Sequence, residues 1–598
     1  MDQPNVLEKL RTSTVVAVDI ETSGFDPWRG DVVRGVSLAM DGWSVYVPVS
    51  HPASKNVRED QYASLLTMLS NMDLLVFHNA LFDLSFLMRD GLTWHAVHDT
   101  MVYAWLQDEN QRLALKELAG DTAERDLLKD RMKAHCRHCD GRKSKLVTIA
   151  QSLKLYCDPK TRVCADCLNE ELTHPGSISP EDIVDSWVPK RGWDELTYED
   201  MKDYATKDAE LTWQLFQVQR KFIDVPEDVY DREMKVLALV LEMRNHGLHV
   251  DLNQAQIEFD RCEYERQAIA DSLPILLTSP KQVGEYLTEV IKLKLPRNDS
   301  GKPMTDEDTL LRFKGNEVVD QILEHRSLTK EGQFYAKLLE LADVDGYVHP
   351  FWRPTGTVSG RFSCSEPNAQ QWPRQGAVRS CITPPDGYRY LSFDLSQAEV
   401  RVGAYYAQSK FLIDAFNEGR DVYQEVADKM DVDRQTAKTI VLGTQYGAGP
   451  KKLRVLLFRA GIDVSPTKAR ALWEEWRNLV PEIPIVREDA ARVAWRRGYV
   501  RLIYPGRVRH FGTSEFWKAD PKDAFNALCQ GGVGEAVKTW MLRVADMGLR
   551  IVAQVHDSIT VIVRHDIVDE QDAIDRVEQA WIDSNPFPIN IPVEVKVG

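Results

Sequence analysis

The feature that most constrains this chain is a recurring one, a short apolar run that ends at or near a carboxylate. Val15–Ile20 leads into Asp19 and Glu21, Leu74–Phe77 precedes Asp83, and Tyr390-Leu391-Ser392-Phe393 ends in Asp394. A fourth stretch, Arg550–Val563, reads as strand, tight turn at His556–Ser558, strand, with Asp557 in the turn. Apolar runs of this length, β-branched or aromatic, predict buried strands. The two groups of acids lie far apart, and a chain of 598 residues is too long for one hydrophobic core. Several domains are therefore expected, an α/β one first and a larger α+β one after it.

The first segment predicts strands at Val15–Ile20, Trp43–Val49 and Leu74–Phe77 with helices between them, then a helix and its lead-in over Asp194–Phe222. A boundary is expected near Val225–Pro226. Tyr230 to about Leu341 reads as mostly helical, with a Pro/Gly/Asp-rich break at Leu295–Thr305. No apolar run approaches the roughly 18 residues that span a bilayer, and Met1–Leu10 lacks the pattern of a signal peptide. The expected setting is cytoplasmic, with no membrane partner. The formal net charge of −17 lowers the expectation of nucleic-acid binding. Net charge governs solubility and steering, however, and leaves local grooves open.

Alternate strand residues face one side, so Asp19 and Glu21 can share a divalent cation. Tyr204 and Asp208 are four apart and share one helix face. Four carboxylates and a tyrosine suit metal-assisted phosphodiester hydrolysis, in which two ions roughly 3.5–4 Å apart activate water and stabilise the leaving oxygen. Singly, each signal is weak, since a strand-end Asp is commonly a cap and a Tyr–Asp pair commonly a helix surface. In order, Asp19-x-Glu21, Asn79-x-x-x-Asp83 and Tyr204-x-x-x-Asp208 resemble the three motifs of proofreading 3′→5′ exonucleases with a ribonuclease-H-like fold. The resemblance covers about residues 10–220 and implies an active nuclease, because all five side chains are present.

Between the second and third motifs lies a cysteine-rich stretch. Five of the nine Cys fall between Cys136 and Cys167, as the pairs Cys136-x-x-Cys139 and Cys164-x-x-Cys167 and as Cys157. Two CxxC knuckles can close a tetrahedral zinc site, with His135, His138 and Cys157 as substitute ligands. Reduced thiols are the plainer alternative. The family pattern lacks this element, so residues 121–190 read as an insertion that zinc would help to fold.

In the second half, Asp394 and Asp557 at two strand ends could form another two-metal site. Between them Arg434, Lys438, Leu442 and Tyr446 recur every fourth residue, which makes one helical stripe. That stripe alone would pass for an ordinary amphipathic helix. Together, Asp394-Leu-Ser-Gln397-Ala-Glu399-Val-Arg401, the Arg434–Gly447 helix and His556-Asp557 resemble motifs A, B and C of family-A DNA polymerases, particularly the shorter bacteriophage members. Thr355–Ser363, Pro367-Asn368, Ser279–Gln282 and Asn526 with Gln530-Gly531 add further matches, and the resemblance covers about residues 228–598.

The resemblance implies an exonuclease domain over 1–226 and a right-hand polymerase over 227–598. Its thumb would lie near 250–345, its palm near 346–405 and 515–598, and its fingers near 406–514. Asp394 and Asp557 would bind magnesium, and Arg434 and Lys438 would grip the triphosphate, with Lys438 as acid for pyrophosphate. Glu399 would exclude ribonucleotides from a site that includes Gln397, and Tyr446 would sit by the templating base. Arg361, Gln530 and His556 would contact the primer–template. The implied partners are primer–template DNA and dNTPs, with accessory replication proteins also conceivable, and each active site would hold two Mg2+ ions.

Three departures from the family stand out. Leu442 replaces a Phe or Tyr, Tyr423 replaces a phosphate-binding His, and Ser558 replaces an acid after Asp557. The absence of a recognisable 5′-nuclease segment and the full exonuclease set point toward phage replication. The rivals are a single-subunit RNA polymerase, which Glu399 argues against, and a nuclease with a non-catalytic DNA-binding carboxy-terminal part.

Overall fold

The computed structural model describes residues 4–120, 196–221, 225–373, 378–502, 506–512 and 520–597, and the backbone alone of 135–136, 146–148, 162–164 and 187–188. Two compact units emerge. One comprises Met1–Ala104 and Arg112–Asp224, the other Trp105–Gln111 and Val225–Gly598.

The first unit is built on five strands: β1 (Val15–Thr22), β2 (Val33–Met40), β3 (Trp43–Pro48), β4 (Leu74–Phe77) and β5 (Val97–Asp99). Their order is β3-β2-β1-β4-β5. The β3-β2-β1 meander is antiparallel, whereas β4 and β5 run parallel to β1. The stretch between the first two expected strands is thus strand β2, not helix. Its residues Gly35–Ala39 are buried on both faces, so the two-residue alternation that marks a strand is missing. The Tyr198–Gln219 helix packs over β1, β2 and β3. A capping box starts it, with Thr197 and Asp200 each satisfying the other's backbone N–H. Small residues let it approach closely: Ala209 packs with Ala17 and Ala39. Met201, Leu211 and Phe216 are buried on its inner face, each worth roughly 1.5–3 kcal/mol. A bulky residue at Ala209 would break this contact.

Two short antiparallel pairs follow in this unit, His135–Cys136 with Trp187–Val188 and Leu146–Thr148 with Arg162–Cys164. Cys139, Cys157, Cys167 and His138 lie outside the described residues, as do the side chains of His135, Cys136 and Cys164.

The second unit centres on an antiparallel sheet in the order Arg550–Val555, Ser558–Arg564, Tyr388–Leu395, Val593–Val597. Leu391, Phe393, Ile559, Val561 and Val563 alternate into its core. The Gly532–Asp546 and Glu570–Ser584 helices pack together through Trp540 and Trp581, whose rings stand edge to face at 5.4 Å. Both indole N–H groups are satisfied, by Val577 O at 2.9 Å and Ile591 O at 2.7 Å. Elsewhere the long Leu252–Ser272 and Glu317–Leu341 helices pair closely, and Gly332 faces Cys262 across the contact. The Arg434–Gln445 helix, capped by Asp433, packs among Val422–Met430, Pro450–Arg459 and Pro466–Leu479.

Candidate active sites

In the first unit the fold brings Asp19, Glu21, Asp83, Tyr204 and Asp208 together. Pairing with β2 shifts register between Glu21 and Thr22, which ends the regular strand at the acids. Asp83 is tied to β1, its Oδ1 accepting from the Ile20 N–H at 3.2 Å. Its helix starts at Asn79, a non-glycine residue with φ 73°. Buried Asp99 fixes that strained start by accepting from the N–H groups of Asn79 at 3.1 Å and Ala80 at 2.8 Å. Asp99 is a positioning residue that sequence reasoning missed.

The acids push one another's proton affinity up. Asp19 is raised well above the usual carboxylate range by burial and then by Asp83, Asp208 and Glu21. Glu21 is raised to about 8 by burial and then by Asp208. Burial also raises Asp83 and Asp208. Four acids in one place ionise together only beside a cation. Asp208 Oδ1 is buried and makes no well-aligned hydrogen bond. Four carboxylates supply the hard oxygen donors that suit divalent magnesium. Two further side chains complete the site. The ammonium of Lys116 lies 3.0 Å from Asp208 Oδ1 and 4.0 Å from the Tyr204 ring centroid. Phe25 is 80% exposed, 6.3 Å from Phe82, which in turn lies 5.2 Å from Phe86. Neither Lys116 nor Phe25 carries a local sequence signal, because a lone Lys on a short helix reads as surface.

In the second unit, strand register does for Asp394 and Asp557 what no local signal could. Asp394 pairs with Ser558 on one side and Glu594 on the other. The Leu395 N–H donates to Asp557 O at 3.3 Å, which fastens the two strand ends. The hairpin turn opens with His556 at φ 57°, a position that two-residue hairpins usually give to glycine. Glu594, directly across from Asp394, presents a third carboxylate on the same face. Ser558, the departure noted above, spends its hydroxyl on Val555 O at 2.8 Å. Arg401 secures the corner after the strand, donating to Ser396 O at 3.0 Å and Asn590 O at 2.8 Å.

Arg361 bridges the acids, its Nη2 donating to Asp557 Oδ1 at 2.9 Å and to Glu399 Oε1. Glycine is required just before it: Gly360 has φ +85°, and a Cβ there would stand 2.6 Å from Arg507 Nη2. Burial and then Asp557 raise Glu399, while Arg361 and Gln530 oppose the rise. The Glu399 carbonyl accepts from Gln445 Nε2 at 2.6 Å, so the Ala398–Ala407 helix is stitched to the Arg434–Gln445 helix. Gly403 makes that approach feasible, since a Cβ there would meet Gln445 Nε2 at 2.8 Å. Gln397 (φ 53°) caps the first of these helices.

The stripe expected on the Arg434–Gln445 helix is present. Arg434 is exposed and Lys438, Leu442 and Tyr446 are half-buried, while Ala437, Ile440 and Val441 face the core. Tyr423 is only 5% exposed and lies beneath both cations, 5.5 Å from the Arg434 guanidinium and 5.9 Å from the Lys438 ammonium. Its phenol is pushed up to about 12 by burial. Arg434 also donates to Asp421 Oδ2 at 2.6 Å. Among the described residues, the buried atoms Arg361 Nε, Gln397 Oε1 and Asn526 Oδ1 around these motifs have no hydrogen-bond partner. Such atoms are costly unless something else pairs with them.

Comparison with known proteins agrees with this geometry. Residues 248–598 match the family model for DNA polymerase family A, and residues 2–140 match one described as 3′-5′ exonuclease. DNA polymerase I of Pseudomonas aeruginosa is 26% identical over 94% of this chain and 61% of its own length. DNA polymerase I of Aquifex aeolicus is 26% identical over 93% of this chain and 90% of its own. The chain spans 61% and 50% of the P. aeruginosa and Helicobacter pylori (strain J99) relatives. Among solved structures, the POL domain of Pol1 from M. smegmatis, in complex with DNA primer-template and dNTP, superposes with a TM-score of 0.72. It is 21% identical and the match covers 99% of this chain and 96% of that one, so the fold is shared. With its family model matched over more than half the sequence and both carboxylate sites assembled by the fold, the chain belongs to DNA polymerase family A.

Proposed function

We propose that the protein synthesises DNA on a template in its second unit and proofreads 3′ ends in its first. One observation carries the polymerase reading. Arg361 ties Asp557 to Glu399, whose carbonyl is stitched by Gln445 to the helix that carries Arg434 and Lys438 over the Tyr423 ring. Acids for metals thus adjoin cations for a triphosphate, as nucleotidyl transfer needs. Magnesium held by Asp394 and Asp557 would activate the primer 3′-hydroxyl and neutralise the triphosphate. Arg434 and Lys438 grip the phosphates over the Tyr423 ring, which works as a platform rather than as a donor. Lys438 is placed to protonate departing pyrophosphate. Glu399 closes the sugar edge against a 2′-hydroxyl, and Tyr446 lies at the template end of the stripe. Gln530 and His556, with the unsatisfied Nε of Arg361, supply partners for the primer–template.

In the first unit Tyr204 orients the attacking water between the acids. Exposed Phe25 offers a stacking face for a frayed 3′ base. Cys136, Cys139, Cys164 and Cys167 are proposed as structural zinc ligands on their spacing. A phage replicative role rests on sequence features alone, whereas the relatives compared are bacterial. Among the described residues no helix is long and apolar enough to cross a membrane, and a cytoplasmic setting follows from the substrates proposed.

The test is extension of a labelled primer–template with Mg2+ and either dNTPs or rNTPs. Extension with dNTPs alone supports the reading. Equal use of rNTPs would favour an RNA polymerase-like enzyme. Shortening without extension at any dNTP concentration would leave only a nuclease.

A further inference from the structure

Lys116 is 9% exposed, on a helical turn of four residues, Leu115–Leu118. Its position is imposed rather than chosen by the side chain. The Leu113 carbonyl just before it is held by His78 Nε2 at 2.9 Å, and the turn packs on the Tyr198–Gln219 helix. The ammonium is thereby set against Asp208 Oδ1 and over the Tyr204 ring. The same charge opposes the mutual repulsion at Asp19, Glu21 and Asp208. Among the described residues one lysine faces four acids, so the site keeps an excess of negative charge for divalent ions. The ammonium occupies, at 3.0 Å, the Asp208 oxygen that a divalent ion would take. An ordinary structural pair would satisfy its carboxylate and be done.

We propose that Lys116 is a resident counter-ion of the exonuclease site, which competes with a divalent cation for Asp208 and so sets the metal concentration at which the site fills. The proposal rests on the exonuclease reading. Two like charges cannot share Asp208 Oδ1 at contact distance without strong repulsion, so ion entry requires the ammonium to move off that oxygen toward the substrate phosphate. Lys116 is a positioning residue in this account, and no covalent step is assigned to it. Its consequence is that hydrolysis needs a higher free magnesium concentration than it would with a neutral side chain.

The test uses the full chain with Asp394→Ala and Asp557→Ala, so that the second site is silent, and follows free Mn2+ by electron paramagnetic resonance. Lys116→Met is expected to bind Mn2+ roughly tenfold more tightly, while Lys116→Arg stays near the parent. Lys116→Gln is read in the same titration should the Met variant not fold. Unchanged or weaker binding in the folded neutral variants overturns the proposal. Adding Asp19→Asn/Glu21→Gln separates the two failures. If the parent binds no Mn2+ that these substitutions remove, the exonuclease reading itself fails. If they remove it and Lys116→Met binds like the parent, only the Lys116 proposal fails.

Discussion

Buried acids are treated in opposite ways in the two units. In the first, among the described residues, Asp19, Glu21, Asp83 and Asp208 face one lysine, Lys116, and Glu21 is raised to about 8. In the second, Glu233 and Glu535 meet Arg232, Arg507 and Lys538, with Arg507 Nε 2.9 Å and Lys538 Nζ 2.7 Å from their carboxylates. Burial would raise Glu535 too, but Arg232, Arg507 and Lys538 bring it down to about 2. Matched charge holds parts of the fold together, and unmatched charge waits for a ligand. The Asp557 and Glu399 pair lies between these extremes, bridged by Arg361.

Replacing a matched acid should hurt most. Glu535→Gln leaves Arg232 and Arg507 buried and underpaired, and about 3–5 kcal/mol of stability should be lost in denaturant unfolding. Replacing an unmatched acid should do the reverse. Glu21→Gln in metal-free protein at pH 8 should gain on the order of 1–2 kcal/mol, while its nuclease activity disappears. A loss of stability there would break the comparison.

The pH profiles should diverge in the same way. An acid whose affinity for protons is raised by folding stabilises below its unfolded pKa, and that contribution fades as pH climbs through the folded value. The metal-free first unit should therefore melt progressively lower from the ordinary carboxylate range up to about pH 8, where Glu21 titrates. Saturating Mg2+ should flatten the slope. Glu535 is depressed, so its contribution is present above the ordinary carboxylate range and is lost as pH falls toward 2. Two transitions followed by calorimetry across pH would show both trends.

At the intermediate site, Glu399→Ala should admit ribonucleotides on the order of tenfold to a hundredfold better, measured as the ratio of kcat/KM values. Smallest of all, Phe25→Ala should slow hydrolysis of single-stranded 3′ ends by roughly tenfold through lost stacking, with extension unchanged.

Much of this contrast can be read from the chain alone. Short apolar runs that end at or near acids declare β1, β4 and the Tyr388–Leu395 strand, because burial of a strand needs apolar residues. The four-residue spacing of Arg434 to Tyr446 declares one helical face, and the core takes the other. Strand β2 escapes because both its faces are buried. Val97–Asp99 escapes because three residues carry no period. Lys116, Asp99 and Glu594 escape for a different reason: each acquires its meaning from a partner supplied by tertiary contact or strand register. The unmatched charge itself is therefore visible only once the fold has gathered it.

The central claim is that two separate acidic sites run two opposed reactions, and primer–template with Mg2+ and all four dNTPs tests it most directly. Wild type should extend, Asp394→Ala should only shorten the primer, and Asp19→Ala/Glu21→Ala should only extend it. Each lost activity should fall by about a thousandfold or more, as removal of metal-borne charge stabilisation implies. Continued extension by Asp394→Ala, or continued shortening by the double variant, would contradict the account.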